Sequence, residues 1–179
     1  AKRPLILAGG GAIDAAAELT KLAELLDAPV ALTINAKGML ESSHPLLIGS
    51  TQSLVATRAL VAEADVVLAI GTELAETDYD VTFAGGLEIP GQLLRVDIDP
   101  DQTVRNYPPH VALVSDSRNA AQALLSALSQ QSLAERRNDW GQARAARLRE
   151  ELAQTWDAPT LAQTLFLDTV LNVLPDAVF

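Results

Sequence analysis

The sequence contains no cysteine and few aromatic residues, and each absence narrows what the protein can be. Without cysteine there are no disulfide bonds, no thiolate metal ligands and no cysteine nucleophile. This composition fits a cytoplasmic protein, because disulfides are rare where thiols are kept reduced. Aromatic residues make up only 4% of the chain, so the core has to be built from Ala, Leu, Val and Ile.

Positive charge and long apolar runs are also scarce. The 179 residues carry 13 Lys and Arg against 23 Asp and Glu, which gives a formal net charge of −10. Nucleic acids and anionic membranes bind cationic surfaces, so we expect neither as a partner. No apolar run approaches the roughly 20 residues that cross a bilayer, so we expect no membrane-spanning segment.

Short apolar runs alternate with helical patterns along the first 130 residues. The runs at 5–8, 30–33, 66–71, 93–98 and 111–114 predict buried strands. Apolar residues at helical spacing predict helices over 12–26 and 53–63, and a third from Asp116 or Ser117 to about Gln130. Asp99-Pro100 predicts a further short helix, because proline is favoured at the first helical position.

These strands are apolar throughout, with no alternation of polar and apolar positions. Such strands are typical of parallel sheets that are covered by helices on both faces. We therefore predict an α/β fold with a doubly wound, mostly parallel, six-stranded sheet of the Rossmann type, followed by a helical C-terminal extension.

The residues after about 131 have a different composition. The segment 132–151 contains five Arg and four acidic residues, and predicts either a charged helix packing through Leu133, Trp140 and Leu148 or a linker. Asp157-Ala158-Pro159 breaks this pattern, 160–174 is again helical, and 177–179 looks like the start of a strand. We divide the chain into an α/β domain (1–131), a charged helical linker (132–159) and the truncated start of a further domain (160–179). We expect it to belong to a longer protein.

A glycine triplet follows the first predicted strand. A glycine-rich turn that leads into a helix can hold a phosphate on backbone amides. The dinucleotide fingerprint also requires a third glycine or alanine in the turn and an acid after the second strand, but this chain has Asp14 and Thr33 there. A standard NAD site is therefore excluded, and a nucleotide-binding turn and a structural turn both remain open. The candidate nucleotide pocket comprises Gly9, Gly10, Gly11, Thr33 and Asp97.

An acidic segment follows the strand that ends near Gly71. Its carboxylates are Glu73, Glu76, Asp78 and Asp80. The carboxyl edge of a parallel sheet is where ligands bind, so the segment could form a pocket for a cationic ligand or simply a solvated loop. We expect no metal site, since the spacing matches no calcium loop and the two histidines, His44 and His110, lie in distant turns. No nucleophilic serine motif or phosphate-binding P-loop occurs, so we expect no catalytic residue in this chain.

Several short motifs occur in a distinctive order. They are RPLILAGGG at 3–11, Pro29-Val30 with Thr33 and Lys37-Gly38, HPLLIG at 44–49, ADVVLAIG at 64–71, and RVDIDP at 95–100 followed by Asn106. Together they resemble the central domain of thiamine-diphosphate-dependent enzymes of the acetolactate synthase family, over residues 3 to about 130. The resemblance implies a DHS-like NAD/FAD-binding domain. Residues 160–179 look like the start of that family's third domain.

The resemblance implies what the rest of the protein contains. The parent is expected to be a 2-oxo acid decarboxylase or carboligase that uses thiamine diphosphate and magnesium, with ligands outside this chain. Its catalytic glutamate is expected in a preceding domain and its G-D-G magnesium motif in a following one. The expected partners are these flanking domains and further copies of the parent in a homo-oligomer. The fragment itself is expected to be inactive.

The chain departs from the flavin-binding members of that family at two places. Their M-H-G is replaced by Ser50-Thr51-Gln52, and their V-R-F-D-D-R is replaced by T-E-L-A-E-T at 72–77. A carboxylate in place of an arginine repels a pyrophosphate, which argues against FAD or ADP. The same exchange predicts a substrate with a cationic tail, such as 5-guanidino-2-oxopentanoate.

Three alternatives remain open. The acidic residues could simply face water, the chain could be a self-standing FAD-, ADP- or NAD-binding module, or it could be an interaction module with the Arg-rich helix as its contact.

Overall fold

A computed structural model describes residues 1–76, 86–130 and 139–174. The strands are β1 (Pro4–Ala8), β2 (Val30–Leu32), β3 (Leu47–Gly49), β4 (Val66–Ile70), β5 (Gln92–Asp97) and β6 (Val111–Val114). The α-helices are α1 (Ala16–Leu26), α2 (Val55–Glu63), α3 (Ser117–Ser129), α4 (Trp140–Gln154) and α5 (Ala158–Val173). Short 3-10 helices, Gly10–Ala15 and Ile34–Ala36, follow β1 and β2.

The six strands form one sheet in the order β3-β2-β1-β4-β5-β6, and every neighbouring pair is parallel. This confirms the predicted doubly wound α/β fold, with a sheet that is parallel throughout. The chain starts in the middle of the sheet at β1, moves outward to β3, and then returns to the other side of β1 as β4. The winding therefore reverses between β1 and β4, which defines the topological switch point of this fold.

Two hydrophobic clusters cover the two faces of the sheet. On one face, Leu19 and Leu22 of α1 and Ala120 of α3 pack against the inward side chains of the strands. On the other face, Leu60 of α2 and Leu148 of α4 do the same. The core consists almost entirely of Ala, Leu, Val and Ile, as the shortage of aromatic residues requires.

The edge strands differ from the central ones. β3 was not marked by an apolar run of its own, because it is only three residues long and includes Gly49. β6 is apolar as predicted, but all four of its residues are exposed, including Val111, Leu113 and Val114. The connection from β5 to β6 forms turns in place of a helix, so among the described residues no crossover helix covers the outer face of β6.

The predicted short helix at Asp99-Pro100 is wrong. The carboxylate of Asp97 accepts a hydrogen bond from the Asp99 amide at 3.0 Å, and that of Asp99 accepts one from the Asp101 amide at 2.8 Å. Aspartate side chains that bond two residues ahead stabilise turns and compete with helix formation. Successive turns therefore occupy this segment.

The helices of the C-terminal part begin where the sequence indicates. Asp116 caps α3, as predicted, and Asp157 caps α5 through the Thr160 amide at 2.9 Å. Leu148 is fully buried against the sheet and Trp140 is partly buried, while Leu133 and the expected strand at 177–179 lie outside the described residues. α5 buries none of its residues. No helix in the described part of the chain is both long and apolar enough to span a membrane.

The start of α4 is fixed to the end of α1 by a buried carboxylate. Asp27 follows α1 in a left-handed conformation with φ of 49°, and the residue is only 3% exposed. Its two oxygens accept hydrogen bonds from the amides of Gly141, at 2.8 Å, and Gln142, at 3.1 Å. The amides in the first turn of a helix have no partner within the helix, so Asp27 supplies one from 114 residues away.

We expect Asp27→Ala to lower the free energy of unfolding by about 1–3 kcal/mol, because it leaves the buried Gly141 amide and the partly buried Gln142 amide without acceptors. Urea unfolding followed by circular dichroism measures the change. Asp157→Ala is the matched control: it also removes a helix cap, but from α5, which buries nothing, so the main transition should move much less. Equal effects of the two substitutions would contradict the assigned role of Asp27.

Asp65 joins the beginnings of β1 and β4. Its carboxylate accepts hydrogen bonds from the amides of Lys2, at 2.7 Å, and Arg3, at 2.9 Å. Burial by itself raises the pKa of this carboxyl, but the two amide hydrogen bonds outweigh it and hold the pKa below the ordinary value of 3.8. A lowered pKa in the folded state means that the ionised carboxylate stabilises the fold.

This stabilisation is complete above about pH 3.8 and is lost as the pH falls from there through the lowered pKa of the folded state. We therefore expect Asp65→Asn to be less stable than the parent sequence at pH 7, and to lose less of its stability on acidification below pH 3.8. Thermal melts from pH 7 down to pH 2.5 test this. Parallel pH profiles for the two proteins would show that the Asp65 contacts contribute nothing.

Candidate functional site

A polar pocket of about 380 Å³ lies at the switch point of the sheet. It is formed by the segments that leave the carboxyl ends of β1, β2 and β4, which meet because these three strands are neighbours. The lining residues are Gly9, Gly10, Gly11, Thr33, Asn35, Gly71, Thr72, Glu73 and Ala75. In open α/β sheets this crevice is the usual place for a ligand.

The floor of the pocket is a direct contact between two stretches of backbone. The Gly9 amide donates to the Ile70 carbonyl and the Gly11 amide donates to the Gly71 carbonyl, both at 3.0 Å. Gly71 has φ of +57°, and a Cβ built on it would lie 2.5 Å from the Ala12 nitrogen. Only glycine combines this backbone conformation with so close an approach.

The segment that carries Glu73 is anchored at several points. Leu74 is fully buried with φ of +50°, and its amide donates to the Thr72 hydroxyl at 3.3 Å. Arg95 of β5, which is 1% exposed, donates through Nη2 to the Thr72 carbonyl at 3.0 Å, and through Nη1 to the Arg105 carbonyl. Asn106 donates to the Leu74 carbonyl at 3.1 Å. These contacts hold the backbone beneath Glu73 in one position.

The structure brings together residues from both sites that the sequence suggested. Gly9, Gly10, Gly11 and Thr33 line the pocket as a set, and Glu73 of the acidic segment lines the same pocket. Glu76 is exposed on the acidic segment and does not line the pocket. Asp97 does not line it either, and its carboxylate accepts a hydrogen bond from the Asp99 amide. Asp78 and Asp80 lie outside the described residues.

Sequence reasoning missed four of the lining residues: Asn35, Gly71, Thr72 and Ala75. All four come shortly after a predicted strand, and that position was the available signal. The two histidines lie outside the pocket lining. His44 Nε2 lies 3.4 Å from the Glu24 carboxylate, and His110 Nδ1 accepts from the Leu93 amide at 3.1 Å.

Residues 1–124 match the family model of the thiamine pyrophosphate enzyme central domain, about two thirds of the chain. The chain belongs to this family. The matched residues include the glycine turn and the Ala64-to-Gly71 strand, whose exits line the pocket, and the Arg95-to-Pro100 motif, from which Arg95 bonds to the Thr72 carbonyl.

Three curated relatives of this central domain carry informative names. The Probable 2-ketoarginine decarboxylase AruI of Pseudomonas aeruginosa is 38% identical over 179 residues, covering all of this chain and 31% of the relative. A Probable acetolactate synthase large subunit of Methanocaldococcus jannaschii is 34% identical over 132 residues, or 71% of this chain and 22% of the relative. The acetolactate synthase isozyme 1 large subunit of Escherichia coli is 32% identical over 139 residues, or 75% and 24%. The chain therefore spans less than a third of these relatives.

The family's cofactor, thiamine diphosphate, does not fit the part of this central domain that the structure describes. No group of three His, Cys, Asp or Glu among the described residues is placed to hold a metal ion. The pocket lining contains one carboxylate and no cation, so it offers nothing to neutralise a diphosphate. We derive no catalytic step from these residues.

We expect Gly71→Ala to destabilise the domain by about 2–4 kcal/mol, since it adds both left-handed strain and a clash with the Ala12 backbone. Gly86→Ala is the matched control, because a Cβ there has nothing within 4 Å. Thermal denaturation of both variants measures the difference. If Gly71→Ala and Gly86→Ala have the same melting temperature, the close contact between the two backbone segments is not essential for stability.

Proposed function

We propose that this chain is the central domain of a thiamine-diphosphate- and magnesium-dependent enzyme that decarboxylates a 2-oxo acid with a cationic tail, such as 5-guanidino-2-oxopentanoate. One observation carries the substrate class: Glu73 lines the switch-point pocket, in a segment where the flavin-binding members that this chain resembles have arginine. Hydrogen bonds hold the backbone on either side of Glu73, and a carboxylate is the natural partner of a guanidinium, which binds it through paired hydrogen bonds.

The comparisons support the same substrate class. The relative that aligns over the whole chain is named a 2-ketoarginine decarboxylase, whereas the two acetolactate synthases align over 71% and 75% of the chain. All three alignments span the acidic segment, and only the full-length one spans the entire chain, with every residue of both α4 and α5. This favours decarboxylation of a cationic 2-oxo acid over the condensation of two small oxo acids.

We assign a supporting role to the chain within the parent enzyme. In this proposal 1–131 is the α/β domain, 132–159 leads to the next domain, and 160–179 belongs to that next domain. Within the second segment, α4 packs on the sheet through Leu148 and thereby also completes the α/β core. The exposed apolar side chains of α5, among them Leu165, Phe166 and Val173, are consistent with packing against residues outside this chain. In this proposal the flanking domains supply the catalytic glutamate and the magnesium ligands, and the parent assembles as a homo-oligomer.

The substrate proposal is tested on the full-length parent enzyme, loaded with thiamine diphosphate and Mg²⁺. We expect 5-guanidino-2-oxopentanoate to be decarboxylated with a kcat/KM at least tenfold above that of pyruvate, because only the first can form a charged hydrogen bond with a carboxylate. Release of CO2 and analysis of the product distinguish simple decarboxylation from condensation. A preference for pyruvate, or acetolactate as the main product, would favour an acetolactate synthase activity instead.

The role of Glu73 is tested separately by Glu73→Gln in the same enzyme. Loss of an ion pair worth about 1.5–3 kcal/mol should lower kcat/KM for the guanidino substrate about 10- to 100-fold, mainly through KM, and leave the value for pyruvate nearly unchanged. Glu88→Gln is the control, as Glu88 is exposed and does not line the pocket. Equal losses for both substrates would assign Glu73 a structural role only.

A further inference from the structure

We propose that the switch-point pocket of this chain excludes FAD and other adenine nucleotides, because its glycine turn is committed to joining β1 and β4 and its described lining contains a carboxylate and no cation. Pockets of this kind in Rossmann-type folds hold a pyrophosphate on the amides that follow the first strand. Three independent observations oppose that use here, and none of them depends on the substrate proposed for the parent enzyme.

The first observation is that the amides of the turn already have acceptors. The Gly9 amide donates to Ile70, the Gly11 amide to Gly71, and the Ala12 amide to the Gly9 carbonyl, each at 3.0 Å. Three of the four consecutive amides from residue 9 to residue 12 therefore donate within the protein. A phosphate at this turn would have to replace these bonds, and would leave the Ile70 and Gly71 carbonyls without donors.

The second observation is that the packing of the protein alone requires glycine at position 9 and leaves little room for a side chain at position 11. A Cβ on Gly9 would lie 2.2 Å from the Gly71 carbonyl oxygen, and a Cβ on Gly11 would lie 3.1 Å from the Gly71 Cα. In a phosphate-binding turn, glycine is needed so that the ligand can approach the backbone. Here the approaching group is the backbone after β4, so the glycines have a full explanation without a ligand.

The third observation is the charge of the pocket. Among the described residues that line it, none is Lys or Arg, and the charged one is Glu73. Residues 77–85, which continue the segment, contain no Lys or Arg in the sequence either. A flavin pyrophosphate carries two negative charges and is held in proteins by cations and free amides.

The backbone on both sides of Glu73 is also held in place. Arg95 bonds to the Thr72 carbonyl on one side of it, and Asn106 bonds to the Leu74 carbonyl on the other. The guanidinium of Arg95 is buried and directed at backbone carbonyls, so it contributes to the position of the loop. The backbone that carries Glu73 is therefore held next to the pocket, and the exposed carboxylate remains close to any phosphate bound there.

The test is a titration of the intact parent protein with FAD and with ADP, following flavin fluorescence for FAD and equilibrium dialysis for both. We expect no flavin to copurify, and no saturable binding with a Kd below about 1 mM. Copurified flavin, or a Kd in the micromolar range for either nucleotide, would overturn the proposal. Neither readout depends on catalysis, so the result is independent of which substrate the enzyme uses.

Glu73→Gln separates the contribution of charge from that of the occupied amides. We expect this variant to gain less than tenfold in FAD affinity, and to remain above about 100 μM in Kd, since the amides at 9, 11 and 12 keep their internal acceptors. Glu88→Gln, away from the pocket, should leave binding unchanged, and thermal melts confirm that both variants fold. Micromolar FAD binding by Glu73→Gln would overturn the conclusion that the turn is committed to packing.

Discussion

The contact between the glycine turn after β1 and the backbone after β4 is the constraint on which the rest of the structure depends. It lies at the centre of the sheet, where the winding reverses, and it brings two chain segments closer than any side chain would permit. Because Gly9 and Gly11 bond to carbonyls at the end of β4, the exits of the two central strands are fixed relative to one another. The pocket, the direction of the Glu73 segment and the start of α1 all follow from that relation.

The second layer of organisation comes from β5 and the turns after it. Arg95 and Asn106 reach back from this neighbouring part of the chain to carbonyls of the Glu73 segment. A loop that leaves a strand is normally its most mobile part, yet here the buried Leu74 and these donors hold it. A short connection thus obtains the rigidity of the sheet, which is what a binding residue needs if its position is to determine which ligand it accepts.

Much of the architecture could be predicted from the sequence, because buried parallel strands appear as unbroken apolar runs. The failures have local physical causes. β3 is too short to give a pattern, and the turns after Asp97 arise from aspartate side chains that bond to backbone amides and override the helix signal of Asp99-Pro100. The exposure of β6 could not be predicted, because an apolar run does not reveal whether a helix covers the strand.

The sequence predicted the glycine turn and the acidic segment as two separate candidate sites, and it did not predict that they lie in one pocket. The glycine turn and the acidic segment are separated by about 60 residues, and they share one pocket only because β1 and β4 are adjacent in the sheet. The sequence does not show which backbone amides are free to bind a ligand. Whether the Gly9 and Gly11 amides are free depends on their distances to the Ile70 and Gly71 carbonyls. Patterns of residue type identify where a ligand could lie, and the partners of the backbone groups decide what that ligand can be.

The contact between Asp27 and α4 has a consequence for the order of events during translation. Asp27 and Gly141 are separated by 114 residues in the sequence. A nascent chain can therefore pair all six strands before the amides of Gly141 and Gln142 have emerged from the ribosome. Until then, the face of the sheet that receives Ala145, Leu148 and Leu152 lacks part of its cover. An incomplete chain that ends near residue 130 exposes an apolar surface, and it should associate with chaperones until α4 is synthesised.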